Sequence, residues 1–383
     1  MEVHRLAVAG REAAIARQVS GRVAREWLAT SRFADVEALA TATLSLGPDA
    51  GAYYHRGSAR RATGQPRPAL ADYNQALTLY RDAGNRRTEA ATLNNIGAVY
   101  NGLGDRQQAL TYFEQALPIQ REVGDRAGEA ATLTNIGTVH DGLGDRQQAL
   151  TYFEQALPIQ REVGDRAGEA TTLTNIGAVY NGLGDRHQAL TYFEQALPIQ
   201  REVGDRADEA ATLNNIGLAY DGLGDRHQAL TYFEQALPIR REVGDRAGEA
   251  TTLNNIGAVY NGLGDRHQAL TYFEQALPIR REVGDRAGEA TTLNNIGGIR
   301  FQQGDLAEAL EALHNVLELV HAVGDRSAEA LMRFNMAAVL AEMTRVDEAI
   351  TMQQRAVGLA EATEHPDLSV MRAFLTQLQE RKG

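Results

Sequence analysis

The amino-acid sequence predicts an all-α fold, a right-handed α-solenoid or superhelix of about nine antiparallel helix pairs closed by a C-terminal capping helix. Three observations predict it. A forty-residue segment recurs in five near-identical copies; each copy carries two apolar stripes at helical spacing; and Gly and Asp return at fixed places between the stripes. A helix pair of this size buries its stripes only against neighbouring pairs, so such a chain folds as an array.

The clearest copy, residues 90–129, reads AATLNNIGAVYNGLGDRQQALTYFEQALPIQREVGDRAGE, and it returns at 130–169, 170–209, 210–249 and 250–289. The pattern weakens through 290–329. The resulting organisation is a degenerate N-terminal capping repeat at 1–49 holding Trp27, an array of seven forty-residue repeats at 50–329, a divergent last repeat at 330–363, and a capping helix at 364–383 with Leu368, Met371, Leu375 and Leu378 at helical spacing.

Within a unit, Leu93, Ile96, Gly97 and Tyr100 fall at i, i+3, i+4 and i+7, one face of a first helix. Gly102 and Gly104 end it. Asp105 then stands where an N-cap is needed, with Gln108 three residues on, as in a capping box. Ala109, Leu110, Phe113, Ala116 and Leu117 form the stripe of the second helix. Gly124 closes that helix, and Asp125 caps the next. Pro118, Pro158, Pro198, Pro238 and Pro278 lie inside the second-helix pattern. An interior Pro costs about 3 kcal/mol when nothing relieves it. Local relief is therefore expected: a bend near Leu117, with the Glu114 carbonyl facing solvent.

Composition narrows the function. With no Cys, disulfides and thiolate metal sites are excluded. No stretch of about eighteen apolar residues exists to span a membrane. Arg5, Arg11, Arg17 and Arg22 interrupt any signal-peptide core, and a cytoplasmic location is expected. A net charge of −12 argues against nucleic acid as the main partner. Lys382 is the one lysine among 38 basic residues, which reads as the bias of a GC-rich, bacterial-type coding sequence. Phosphate-loop, HExxH and nucleophile-elbow motifs are missing, so no enzyme, catalytic residue or cofactor is expected. His187, His227 and His267 occupy one position in successive units. Successive helices lie roughly 10 Å apart, whereas zinc needs ligands at about 2 Å, so no metal site is expected. The alternating charges at unit junctions, such as Arg121, Glu122, Asp125, Arg126 and Glu129, read as solvated spacing.

The asparagines are the exception. Asn95, Asn135, Asn175, Asn215, Asn255 and Asn295 share one position in six first helices, preceded by Asn94, Thr134, Thr174, Asn214, Asn254 and Asn294. Asn is a mediocre helix former, so six mid-helix copies are costly unless the amide is used. Copying by duplication and an inter-helix hydrogen bond are two structural explanations. Ligand binding is the third.

Gly97, Tyr100, Ala109, Phe113 and Ala116 match the tetratricopeptide signature of Gly, aromatic, Ala, aromatic and Ala. The resemblance covers 50–363 strongly and 10–49 weakly. GDRAGE lengthens the usual unit of about 34 residues to forty, and so the sequence resembles kinesin light chains and the Pins/LGN scaffolds. It departs in one respect: the Pro expected near the end of the second helix is replaced by Arg121. The resemblance implies that first helices line a concave face and that the asparagine row contacts ligand. A carboxamide offers donor and acceptor to an extended peptide, and Asn94, Asn214, Asn254 and Asn294 would flank it. Specificity would come from varying positions: Leu218, among the small residues Ala98, Thr138, Ala178, Ala258 and Gly298, and Asp141 and Asp221, which would favour a basic side chain. The chaperone-tail carboxylate clamp is not matched. The expected function is therefore a protein- or peptide-binding scaffold. Two other readings are a sensor array of a larger signalling ATPase or caspase-like peptidase, implied by resemblance alone, and a self-associating solenoid.

Overall fold

The computed structural model describes residues 1–382, and among them every regular element is an α-helix. Helix α1 (Glu2–Ala9) precedes nine pairs: α2 (Ala13–Ala29) with α3 (Phe33–Leu44), α4 (Ala50–Ala62) with α5 (Pro66–Asp82), α6 (Arg86–Gly102) with α7 (Arg106–Glu122), α8 (Arg126–Gly142) with α9 (Arg146–Val163), α10 (Arg166–Gly182) with α11 (Arg186–Val203), α12 (Arg206–Gly222) with α13 (Arg226–Glu242), α14 (Arg246–Gly262) with α15 (Arg266–Glu282), α16 (Arg286–Gln303) with α17 (Leu306–Val323), and α18 (Arg326–Glu342) with α19 (Val346–Ala362). Helix α20 (Leu368–Lys382) follows. The chain divides into two compact units, Met1–Ile199 and the residues from Gln200 on.

The helix ends follow from the punctuation. Gly104 takes a φ of +82°, and the Asp105 backbone N–H donates to the Tyr100 carbonyl at 3.0 Å. The Asp105 carboxylate accepts from the Gln108 backbone N–H at 3.1 Å. Only this half of the capping box forms, because the Asp105 N–H is already taken by Tyr100. Asp125, Asp205, Asp245 and Asp285 cap their helices in the same manner.

The core is shared between repeats. In the first unit one cluster joins Tyr73, Leu93, Ile96, Val99, Ala116 and Ile119, and so draws on three successive helices, α5, α6 and α7, from two neighbouring pairs. Phe113, Phe153, Phe193, Phe233 and Phe273 are all buried, each against the facing glycine of its own pair. Tyr100 departs from the expected core role: it is half-buried and stacks on Tyr112, with ring centroids 5.4 Å apart. Helix α7 runs on through Pro118 to Glu122. Pro118 and Glu114 are both exposed, so water can reach the carbonyl that the proline leaves without a donor.

Unit junctions are less solvated than their charges suggest. Glu129 is 5% exposed and accepts from Arg121 at 2.8 Å and Arg126 at 2.5 Å. Arg126 reaches on to Glu162 at 2.8 Å. The same four-residue relay joins Arg81, Glu89, Arg86 and Glu122, and Arg201, Glu209, Arg206 and Glu242. Arg121 thus has a use that a proline at its place could not serve: it ties one second helix to the next first helix.

Candidate functional site

First helices of neighbouring pairs touch one another within each unit, α4 with α6 and α6 with α8, and α12 with α14 and α14 with α16. The asparagines lie on these crowded first helices, all but Asn214 half-buried; Asn214 is 7% exposed.

The two asparagine positions have different surroundings. The first forms a seam between repeats. The Asn94 Oδ1 accepts from Thr132 Oγ1 at 2.9 Å and from Asn135 Nδ2 at 3.1 Å. Asn214 Oδ1 accepts from Thr252 at 3.3 Å and Asn255 at 3.1 Å, and Asn254 Oδ1 accepts from Thr292 at 3.2 Å. Where Thr134 replaces Asn, its hydroxyl bonds Thr172 Oγ1 at 3.1 Å instead. The inter-helix hydrogen bond weighed from the sequence therefore forms at these places.

The second position uses at most its amide donor. Asn95 Nδ2 donates to the Tyr54 hydroxyl at 2.9 Å, and Asn135 and Asn255 donate to the seam. Their Oδ1 atoms stay available. Asn175, Asn215 and Asn295, among the described residues, have no side-chain hydrogen bond to protein and expose part of their amides. Asn294 has none either.

One turn on, Thr138, Ala178, Ala258 and Gly298 are exposed, Ala98 is half-buried, and Leu218 shows 38% of its surface. Asp141 and Asp221 are half-buried at the helix ends; Asp221 lies 4.0 Å from Arg226. His187, His227 and His267 are exposed, and no group of three His, Asp or Glu able to hold a metal occurs among the described residues. No helix there is long and apolar enough to cross a membrane.

Three features escaped the sequence reading. A threonine row, Thr92, Thr132, Thr172, Thr212, Thr252 and Thr292, is fully buried beside the seam. Its regular spacing was the available signal. A second aromatic row, Tyr112, Tyr152, Tyr192, Tyr232 and Tyr272, stacks on the first-helix ring of each pair at 5.4–5.6 Å. Asn335 continues the asparagine register forty residues after Asn295. It lines a cavity of about 240 Å³ with Asn294, Gly297, Gly298 and Phe301. That cavity opens where Leu313 replaces the phenylalanine that the five preceding repeats place over the glycine.

A family model for the tetratricopeptide repeat matches residues 88–162, 168–242, 223–282, 248–320 and 288–362, and a second model of that repeat matches 50–82. The chain is a tetratricopeptide-repeat protein. No curated protein matches it. Among solved structures it is similar to the STAND signal transduction ATPase PH0952 of Pyrococcus horikoshii, which has a tetratricopeptide repeat sensor: TM-score 0.69, 14% identity, 87% of this chain and 50% of that one. It is similar to the apo quorum sensor NprR of B. thuringiensis at TM-score 0.67 and 17% identity, over 80% and 88% of the two chains. A Rap protein complexed with competence and sporulation factor gives 0.59 and 16%, over 94% and 99%. At these identities the tetratricopeptide array shares their fold.

Proposed function

We propose that this tetratricopeptide array is a scaffold that holds an extended peptide or peptide-like segment of a protein along its first helices. The observation carrying this reading is the second asparagine position: half-buried amides at forty-residue intervals whose carbonyl oxygens, and at Asn175, Asn215 and Asn295 whose whole amides, are left to a ligand. An amide so placed offers a peptide backbone both a donor and an acceptor, each bond contributing about 0.5–1.5 kcal/mol. Backbone bonds of this kind hold a chain without reading its sequence. Discrimination falls to the varying neighbours, Leu218 for an apolar side chain and Asp141 and Asp221 for a basic one. The seam asparagines Asn94, Asn214 and Asn254 set the spacing of the row and act on ligand through it.

The reading is tested by panning a displayed library of random dodecapeptides over the purified chain and measuring the enriched peptides by calorimetry. Micromolar binding that Asn175→Ala, Asn215→Ala and Asn295→Ala together weaken supports it; binding indifferent to them does not. The similarity to half of a STAND ATPase favours a second reading, in which the array is the sensor of a larger protein. The mass of the endogenous protein on a blot separates a free array from a sensor domain.

A further inference from the structure

Helix α2, in the degenerate first pair, carries Arg17, Gln18, Gly21, Arg22 and Arg25 at i, i+1, i+4, i+5 and i+8, a single face. That face forms one wall of a cleft of about 410 Å³ whose other walls come from α4, α5 and α6. Arg17 is anchored: it donates to the Pro48 carbonyl at 3.1 Å and lies 3.5 Å from the Asp49 carboxylate. Asp49 is committed in turn, because it caps α4 by accepting from the Ala52 N–H at 2.7 Å. Arg25 spends only its Nε, on the Gly21 carbonyl at 3.2 Å. Arg22 has no hydrogen bond or acidic partner and is exposed. Three guanidiniums thus meet one carboxylate in a chain whose net charge is −12.

Two more observations point into the same cleft. His55 lines it, and the buried Nδ1 of that ring has no partner within the protein. Burial, reinforced by Arg25 and opposed by Asp49, pushes the His55 pKa down to about 4, so the ring is neutral at pH 7 and one of its nitrogens can donate as an uncharged N–H. Gly21 sits mid-helix, where glycine costs about 1 kcal/mol relative to alanine, yet a Cβ there would meet nothing within 4 Å. Packing does not require this glycine; the room it leaves belongs to the cleft. Tyr54, on the cleft wall, accepts from Asn95, so the cleft adjoins the first member of the asparagine row.

We infer that this cleft takes the carboxylate of an acidic peptide segment, seated on Arg22 and Arg25 beside His55. The peptide nature of the ligand rests on the proposed scaffold function; the anion preference rests on the cleft itself. Paired N–H donors of a guanidinium match the two oxygens of a carboxylate. Asp141, in the same unit, is suited to a basic group farther along, so the ligand would present an acidic end to α2 and a basic residue beyond it.

The test is fluorescence anisotropy of fluorescein-labelled hexaglutamate, as free acid and as C-terminal amide, against the full chain at low and moderate salt. Saturable binding that weakens with salt is expected, with about a tenfold loss or more in Arg22→Ala/Arg25→Ala. Gly21→Leu should block the cleft while raising the melting temperature, which separates occlusion from misfolding. Binding of both peptides assigns side-chain carboxylates, and binding of the free acid alone assigns the terminal one; either supports the inference. In NMR titrations the His55 ring should become more basic when the peptide is bound. The chain carrying Asn175→Ala, Asn215→Ala and Asn295→Ala should keep its hexaglutamate affinity, so failure of the asparagine reading leaves this one standing. No binding to either peptide, or binding untouched by Arg22→Ala/Arg25→Ala, overturns it.

Discussion

Gly97 faces Phe113 so closely that a Cβ on the glycine would stand 2.7 Å from the ring's Cε1. The same contact is 2.6 Å at Gly137 and Phe153 and at Gly177 and Phe193. The glycine therefore lets two helices of a pair approach with a whole phenyl ring between them. At Gly297 Leu313 stands in place of the phenylalanine, its Cγ 3.6 Å from an added Cβ, and the nearest atom, the Ala312 Cβ, is 3.4 Å away.

The first prediction contrasts these places. Gly137→Ala should destabilise the fold by about 1–3 kcal/mol through overpacking against Phe153. Gly297→Ala should be neutral or stabilise by up to about 1 kcal/mol, because helix propensity gains and nothing clashes. Urea unfolding of the two variants checks the difference; equal costs would contradict the packing account.

The second concerns charge. Burial would raise the Glu89 pKa, but the bonds from Arg81 and Arg86 outweigh it and hold the carboxyl below its usual range. A lowered folded-state pKa gives stability that is present above the unfolded value, near 4.3, and is lost as pH falls through the folded value. Glu89→Gln should cost about 1–2 kcal/mol at pH 7, and the gap from the parent should close below about pH 4. A gap constant with pH would show that the ion pairs do not carry it.

The third concerns the prolines. Pro158 lies inside α9 and is exposed, so it contributes little packing. Pro158→Ala should restore a backbone bond and stabilise by about 1–3 kcal/mol. Thermal melts would read this directly, and a loss of stability would mean that the proline serves a packing role.

The fourth separates seam from groove. Asn214→Ala removes the acceptor shared by Thr252 and Asn255 and should destabilise by about 1–3 kcal/mol, the cost of a buried donor left unpaired. Asn215→Ala, one residue on, should change stability by less than about 0.5 kcal/mol.

Helix ends and cores were legible in the sequence because their causes are local. Asp105 caps a helix through a bond three residues away, and Phe113 keeps the 3.6-residue period of its own helix. The seam was not legible. The partners of Asn94 lie 38 and 41 residues on, in another helix, and periodicity says which positions share a face without saying what meets them. Glu129 misled for a related reason: alternating charges look solvated until the packing shows one of them enclosed by two arginines. Helix α1 is not legible as an element separate from the degenerate first repeat, since eight residues hold too few turns to show a period. Asn335 does not stand out in the sequence because its flanks, RF and MA, no longer resemble the repeat.

The central claim is that the unbonded asparagine amides hold a peptide. Calorimetric titration of one enriched dodecapeptide into the parent chain, the Asn175→Ala/Asn215→Ala/Asn295→Ala chain and the Asn214→Ala chain tests it most directly. Three lost amides at about 0.5–1.5 kcal/mol per bond should weaken binding by roughly tenfold to a thousandfold with unfolding unchanged, while Asn214→Ala loses stability first. Equal affinity for the parent and the triple variant would contradict the account.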